Sequence, residues 1–327
     1  MQLYLGALLT AVLVAVRGLR SASLSPSGAL AASILGYAAL ASPLKVFSAC
    51  LLGFYFAGSK ATKVKAAVKA TYEEPEAPSI QQKASASSPT TAPPHSTPSS
   101  AGRTATQVAC NALVGAFCAV TWRVFYSGER AGAQDWAKEG AWCVVGLDPR
   151  GRTHSRALVL AAVAFWAACC GDTFASELGI LSRSPPRLLT TLRPCPRGTN
   201  GGVSPWGTLV SLLGGLLVGL LAVASLAAQR QTTACGAWGW AVEIVAVAGA
   251  AGLGGSLLDS LLGATLQATY FSKTRNLVVH APHPSPAFPD DEIVRVPGSG
   301  FAVLSNNGVN LVSAAAVAAV AGAWAAQ

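Results

Sequence analysis

The chain has 327 residues, 52% of them hydrophobic and only 11% charged, with a mean hydropathy of +0.45 and a net charge of +9. Soluble globular domains carry roughly 25% charged residues, so the composition excludes an ordinary soluble domain and describes a chain most of which must dissolve in hydrocarbon. Its basic residues stand in short clusters between apolar runs and are not interleaved with aromatics, which argues against a nucleic-acid surface and for a topology signal.

A helix rises about 1.5 Å per residue and the hydrocarbon core of a bilayer is about 30 Å thick, so roughly 20 apolar residues cross it. Apolar runs at 2–16, 28–43, 46–58, 104–126, 156–171, 206–228, 237–268 and 304–325 predict an all-α, multi-pass bundle with about eight membrane segments. The first is followed by Arg17 and Arg20, the reverse of the order in a cleaved signal peptide. We therefore expect a retained anchor, with cleavage at Ser21-Ala22-Ser23 as the alternative. The second and third runs meet at Pro43 and should form a tight pair. Residues 59–70, SKATKVKAAVKA, place Lys65 and Lys69 on one helical face, as in a basic interfacial helix or a solvated basic linker.

Residues 73–103 are Pro-, Ser-, Thr- and Ala-rich with almost no large apolar side chain, the composition of a disordered linker. The chain thus divides into 1–72 with three membrane helices, the linker 73–103, and a five-segment membrane region 104–327. Within the last, 237–268 is too long for one simple span and contains Gly252, Gly254, Gly255 and Asp259, so a broken or re-entrant helix is expected there. The Ala-rich run that ends near Trp324 is a plain span.

Lys60, Lys63, Lys65 and Lys69 follow the third run, and Arg183, Arg187, Arg193 and Arg197 follow the fifth. If the chain starts outside, these clusters and Arg17 and Arg20 all lie on the cytoplasmic side. The eight cysteines include no C-x-x-C pair and mostly lie in or beside apolar runs, where Cys behaves as a small hydrophobe. His280 and His283, in HAPHP, have no carboxylate or thiol nearby and make a poor metal site.

Four polar islands carry the chemistry. The first, GDTFASELG at 171–179, puts Asp172 and Glu177 at the end of an otherwise uncharged span, which is costly without partners. Two carboxylates with nearby hydroxyls suit Mg²⁺, usually shared with a phosphate; a helix cap with an Arg partner is the alternative. The second, RPCPRGTNGGVS at 193–204, joins basic residues to a Gly-rich loop and the N-terminus of the next span. Consecutive backbone N–H groups and the helix dipole can receive an anion there, or the loop is simply a turn. The third, GSLLDSLLGATLQ at 255–267, lines Ser256, Ser260, Gly263 and Gln267 along one stripe beside Asp259. Small residues at that spacing pack helices, whereas an intramembrane acid points to function. The fourth, SNNGVNLVS at 305–313, places Asn306, Asn310 and Ser313 on one face, with Asn307 beside them.

These motifs, with SPPRLLTT at 184–191 and GSKATKVKAAVK at 58–69, resemble the transmembrane protein 19 family in motif, order and spacing over nearly the whole chain outside 73–103. Plant members of that family are phytyl-phosphate kinases of the plastid envelope thought to use CTP, and its wider relatives are dolichol kinases and CDP-lipid synthases. The resemblance therefore implies a multi-pass protein of an endomembrane or the plastid envelope. It implies transfer of a phosphoryl group from a nucleoside triphosphate, CTP favoured, to an isoprenoid monophosphate of the phytyl type. Asp172, Glu177 and Asp259 are then the candidate catalytic residues and Mg²⁺ ligands. Arg187, Arg197, Thr199, Asn200, Gly201, Gly202, Asn307 and Asn310 are the candidate phosphate- and substrate-binding residues. Two other readings use the same residues: a transporter with an ion or substrate site at the broken seventh run, and a non-catalytic membrane protein whose polar stripes only pack helices. The expected partners are the bilayer, the nucleotide and the lipid phosphate, and no nucleic acid.

Overall fold

The computed structural model describes residues 3–64, 71–72, 102–126, 153–229, 238–279 and 281–327. Lys65, Lys69, Cys143, Cys235 and His280, and nearly all of 73–103, lie outside the described residues. Eight helices stand among the described residues: α1 Leu5–Arg20, α2 Pro26–Leu40, α3 Val46–Ala61, α4 Ala105–Tyr126, α5 Thr153–Leu178, α6 Pro205–Ala228, α7 Gly239–Leu266 and α8 Asn306–Ala325. A 3₁₀ turn, Gly179–Leu181, continues α5.

The helices begin where the sequence supplies caps. Ser25, Ser204 and Ser305 precede α2, α6 and α8, and each hydroxyl accepts the backbone N–H three residues on, of Gly28, Gly207 and Gly308. Pro26 and Pro205 occupy first-turn positions, where the missing N–H costs nothing. Arg17 and Arg20 sit inside the last turn of α1, where their charge complements the helix dipole.

Five helices, α4 to α8, are long and apolar enough to cross a membrane. α2 and α3 are shorter apolar helices of 15 and 16 residues, and α1 has 16. At about 1.5 Å per residue these three fall short of a core about 30 Å thick. α5 is the axis of the bundle: it packs on α3, α4, α6, α7 and α8, and its Phe165 and Trp166 are fully buried. By contrast Leu5, Leu9 and Leu13 of α1, Leu220 of α6 and Val320 of α8 point outward, as side chains against lipid must.

Two sequence expectations change. α5 runs on from the expected boundary at 171 to Leu178, so the acids expected at the end of the span lie in its last turns. α7 is one unbroken helix of 28 residues, not a broken or re-entrant segment. Its glycines serve packing. A Cβ on Gly252 would stand 2.6 Å from the Gly215 Cα of α6, and one on Gly171 of α5 would stand 2.4 Å from the Gly252 carbonyl oxygen. Gly255 is similarly closed by Ala168 of α5. Bare backbone surfaces thus let α5, α6 and α7 meet at separations no larger residue allows, the usual device for helices with no hydrophobic drive to associate in lipid.

Among the described residues, five short strands lie outside the helices. β1 (Arg187–Leu188) pairs antiparallel with β2 (Gly202–Val203) in the α5–α6 connection. Between α7 and α8, β3 (Tyr270–Ser272) is flanked by β4 (Leu277–Val279) and β5 (Ile293–Arg295) in the order β4-β3-β5. Both sheets sit at the end of the bundle that carries the C-termini of α1, α3, α5 and α7. Tyr72 ties that end together: its carbonyl accepts the Val278 N–H, and its ring lies under the Arg197 guanidinium at 5.2 Å. At the other end Arg156 pairs with Glu243 and donates to the Ala325 carbonyl, while the Lys45 N–H donates to Gln229.

Candidate functional site

The last turns of α5 and α7 bring two of the polar islands together. The Gly171–Gly252 contact fixes the two backbones, and Asp172 follows that contact by one residue on α5, Asp259 by two turns on α7. Asp172 feels the Asp259 carboxylate and, less strongly, that of Glu177. α8 completes the arrangement. Ser313 Oγ donates to Asp259 Oδ2 at 3.2 Å. The Asn310 amide, turned so that its nitrogen faces the carboxylate, donates to the same oxygen at 3.1 Å and to the Asn306 carbonyl at 3.0 Å. The first, third and fourth islands are therefore one site.

The two acids of α5 do not share a face. Glu177 stands one turn after Thr173, whose methyl lies 3.5 Å from where a Cβ on Gly58 of α3 would be. On that side Glu177 acts electrostatically on Arg103, the residue just before α4. Asp259, Asp172, Glu177 and Arg103 thus form a line of charges across the end of the bundle. Among the described residues no three His, Cys, Asp or Glu side chains stand close enough to hold a metal ion on their own. Asp172 and Asp259, near enough to act on one another, nevertheless fit Mg²⁺, which takes one or two carboxylates and fills the rest of its shell with phosphate oxygens and water.

The Gly-rich loop docks on the C-terminal turns of α7, beside Asp259. Gly201 adopts φ +79°, and a Cβ there would stand 2.4 Å from the Ala264 Cβ and 2.6 Å from the Ser260 carbonyl oxygen. Only glycine satisfies both demands, the positive φ and the close approach. The Asn200 N–H donates to Thr269 Oγ1, Thr199 Oγ1 donates to the Pro196 carbonyl, and the Gly202 N–H donates to the Thr199 carbonyl. Arg197 Nη1 donates to the Ile180 carbonyl at 2.6 Å, and Arg187 Nη1 to the Leu192 carbonyl at 2.8 Å. Among the described residues each Arg has one hydrogen bond, which holds the loop, out of the five donors a guanidinium carries. Asn307 is half-buried in the first turn of α8, and among the described residues its side chain has no hydrogen-bond partner.

Sequence reasoning missed Arg103, which closes the linker segment and carries no motif. Its signal was position: a lone cation directly before an apolar run, with Thr104 and Gln107 forming a reciprocal cap. It also missed the core of the α7–α8 connection, where Asp291 accepts hydrogen bonds from Ser272 Oγ and from Arg275 Nε at 2.8 Å. The Ser272 bond first, and Arg275 after it, hold the Asp291 carboxyl below the usual carboxylate range. The cysteines behave as expected among the described residues: Cys50, Cys110, Cys118, Cys169 and Cys170 are buried and unpaired.

Apolar helices around a glycine-packed axis, with the acids and the basic loop gathered at one end, define a polytopic integral membrane protein with a polar site at one membrane face. A family model described as integral membrane protein DUF92 matches residues 9–318, and the chain belongs to this family, the transmembrane protein 19 family that its motifs resemble. It is 39% identical over 173 residues to Protein PGR of Arabidopsis thaliana, covering 51% of this chain and 54% of that protein. An uncharacterized membrane protein of Methanocaldococcus jannaschii is 40% identical over 101 residues, 31% of this chain and 37% of the relative. Another, of Synechocystis, is 31% identical over 148 residues, 43% of this chain and 51% of the relative. The matches thus span about half or less of each relative's length. No solved structure matches the chain.

Proposed function

We propose that the protein transfers the terminal phosphoryl group of a nucleoside triphosphate, CTP favoured, to an isoprenoid monophosphate at the membrane surface. The observation that carries the reading is the convergence at one end of the bundle of Asp172, the Asn310- and Ser313-held Asp259, and the basic Gly-rich loop docked on α7. In such a transfer a lipid phosphate oxygen forms a bond to the γ-phosphorus. The bond from that phosphorus to the β–γ bridging oxygen breaks, leaving a lipid diphosphate and a nucleoside diphosphate. The attacking oxygen is already anionic, so the site needs no strong base. It needs positioning and charge neutralisation.

Asp172 and Asp259 would hold Mg²⁺, which supplies charge neutralisation on the nucleotide phosphates. The loop at 197–202 and α8 Asn307 would hold the remaining phosphate oxygens and the substrate. The transporter reading drew on a broken seventh helix, and α7 is continuous. Purified protein given γ-labelled CTP or ATP and a C20 isoprenoid monophosphate should yield labelled diphosphate, and Asp172→Asn should slow its formation by about 10²–10³-fold. If no nucleotide supports transfer to any isoprenoid phosphate, the kinase reading is withdrawn in favour of a non-catalytic one.

A further inference from the structure

A cavity lies beside the charge line, between α1, α2, α3 and α4. Its walls are mainly apolar, with Ala11 of α1, Leu35 of α2 and Leu51 and Phe54 of α3 among them. One end is polar and is formed by Tyr55, Arg103, Gln107, Asn111 and Thr173. Thr173 is the neighbour of Asp172, so this polar end adjoins the α5 acids.

Arg103 is held there deliberately. Its N–H donates to the Ser23 carbonyl at 3.0 Å, and its own carbonyl accepts from the Ser25 N–H at 3.1 Å and the Ser25 hydroxyl at 3.2 Å. Gly28 and Gly102 leave room for nothing larger: a Cβ on Gly28 would stand 1.9 Å from the Arg103 carbonyl oxygen, and one on Gly102 would stand 2.5 Å from Leu24 backbone. The guanidinium donates to Ser59 Oγ at 3.3 Å, its one side-chain hydrogen bond among the described residues. The N-termini of α2 and α4 flank it and add positive potential. A fixed, largely desolvated cation at the head of an apolar cavity complements a ligand with an anionic head and an apolar tail.

We propose that this cavity receives the lipid acceptor, with its phosphate on Arg103 and its first carbons among α1, α2 and α3. The proposal rests on the kinase reading and deepens it: Arg103 holds the acceptor at one end of the charge line while Asp172 and Asp259 serve the donor at the other. The cavity, about 100 Å³, takes only the start of a C20 chain. The remainder leaves toward the bilayer between α1 and α3, which barely touch outside the contacts of Arg17 with Phe56 and Gly18 with Tyr55.

Head and tail are tested separately by ligand-induced thermal shift and native mass spectrometry of the full chain, with a C20 isoprenoid monophosphate and the matching alcohol and no nucleotide. Gly36 lines the cavity, and a Cβ there meets only Ala11 Cβ at an ordinary 3.7 Å, so Gly36→Leu fills the space without displacing backbone. It should reduce binding of both ligands at least tenfold. Arg103→Gln should weaken the phosphate about 10- to 100-fold and leave the alcohol unchanged, with partial recovery in Arg103→Lys. If Arg103 merely balances Glu177, Arg103→Gln shifts both ligands or neither, and the proposal fails. It also fails if Gly36→Leu binds normally or the parent binds neither ligand. Should the parent bind lipid phosphate as described yet transfer no phosphoryl group, the acceptor site stands and the kinase reading alone falls.

Discussion

Ser313 on α8 donates to the Oδ2 of Asp259 on α7, and Asn310, one turn earlier on α8, donates to the same oxygen. One carboxylate oxygen thereby takes two helix-borne donors, while among the described residues its partner oxygen has none. Exchanging the two groups tests whether the charge must sit on α7. Asp259→Asn with Asn310→Asp preserves a hydrogen bond between the helices, so thermal stability in detergent should return close to the parent value. Transfer should not return, because the carboxylate has moved away from Asp172. Recovery of activity together with stability would show that the pair only joins helices.

Asp172→Asn keeps size and removes charge, and should lower the transfer rate by about 10²–10³-fold, the scale of losing one charge-stabilising group. Chelation of Mg²⁺ should abolish turnover in the parent without lowering Tm, because the ion arrives with the nucleotide. Glu177→Gln should act differently: it stands beside Arg103, so the larger change is expected in KM for the lipid and the smaller in KM for the nucleotide. Equal effects on both substrates would place Glu177 with the donor site instead.

Arg197 now has a structural role as well as a proposed binding role. Losing its bond to the Ile180 carbonyl should cost about 1.5–3 kcal/mol, the range for hydrogen bonds to charged groups. Arg197→Ala should therefore lower Tm as well as nucleotide affinity, whereas Arg193→Ala, at an exposed position, should change neither. Gly201→Val should be worse than either, since it meets both a positive φ and the backbone of α7. A Gly201→Val protein with the parent Tm would mean that the loop does not dock on α7.

The fold of the α7–α8 connection should depend on pH. Asp291 has its carboxyl held below its ordinary value by Ser272 and Arg275. A group whose pKa is depressed on folding stabilises above its unfolded value, near 3.9, and that contribution is lost as pH falls through the folded value. Limited proteolysis between residues 273 and 292 should therefore rise below about pH 4. Asp291→Asn should show the same sensitivity at pH 7; cleavage that is flat across this range in the parent would remove Asp291 from the account.

Labelling should place the polar site and the basic clusters on one side of the membrane. Cysteines introduced at Lys60 and Ser176 should react with an impermeant reagent from the same side, and one at Trp238 from the other. Ser176 and Trp238 are both exposed, at opposite ends of the bundle. Reaction of Lys60→Cys and Ser176→Cys from opposite sides would invert the proposed topology.

Much of this was legible in the residues because hydrocarbon imposes few solutions. Long apolar runs must be helices, and Ser-Pro or Ser-Asn before such a run marks its start. α7 was misread because glycine has two uses: Gly252 and Gly255 weaken a helix in isolation, yet here they are the surfaces on which α5 and α6 rest. That choice is made by partners far away in sequence, and no local pattern reveals it. The acids were recognisable as costly, but their pairing was not. Asp172 interacts more strongly with Asp259 than with Glu177, because the α5–α7 crossing at Gly171 and Gly252 decides which face of α5 is shared. Arg103 escaped notice for a similar reason: its meaning comes from Ser23, Ser25 and a cavity built by four helices.

Tyr72 and Gly102 bound the long Pro- and Ser-rich stretch, and both are fastened at the same end of the bundle, Tyr72 to Val278 and Gly102 against Leu24. A connection whose ends are already gathered on one side needs to span no membrane. For a flexible loop, doubling the length costs only about 0.6 kcal/mol in closure entropy, and a cut there interrupts none of the eight described helices. α3 packs against α5 and α6, and its Phe47 meets Trp122 of α4. Residues 1–72 and 102–327, made as two separate chains in one membrane, should therefore find each other and rebuild the same bundle. Evolution could then lengthen, rewrite or decorate the intervening stretch almost freely, making it the place where new regulation can be grafted onto an unchanged membrane core.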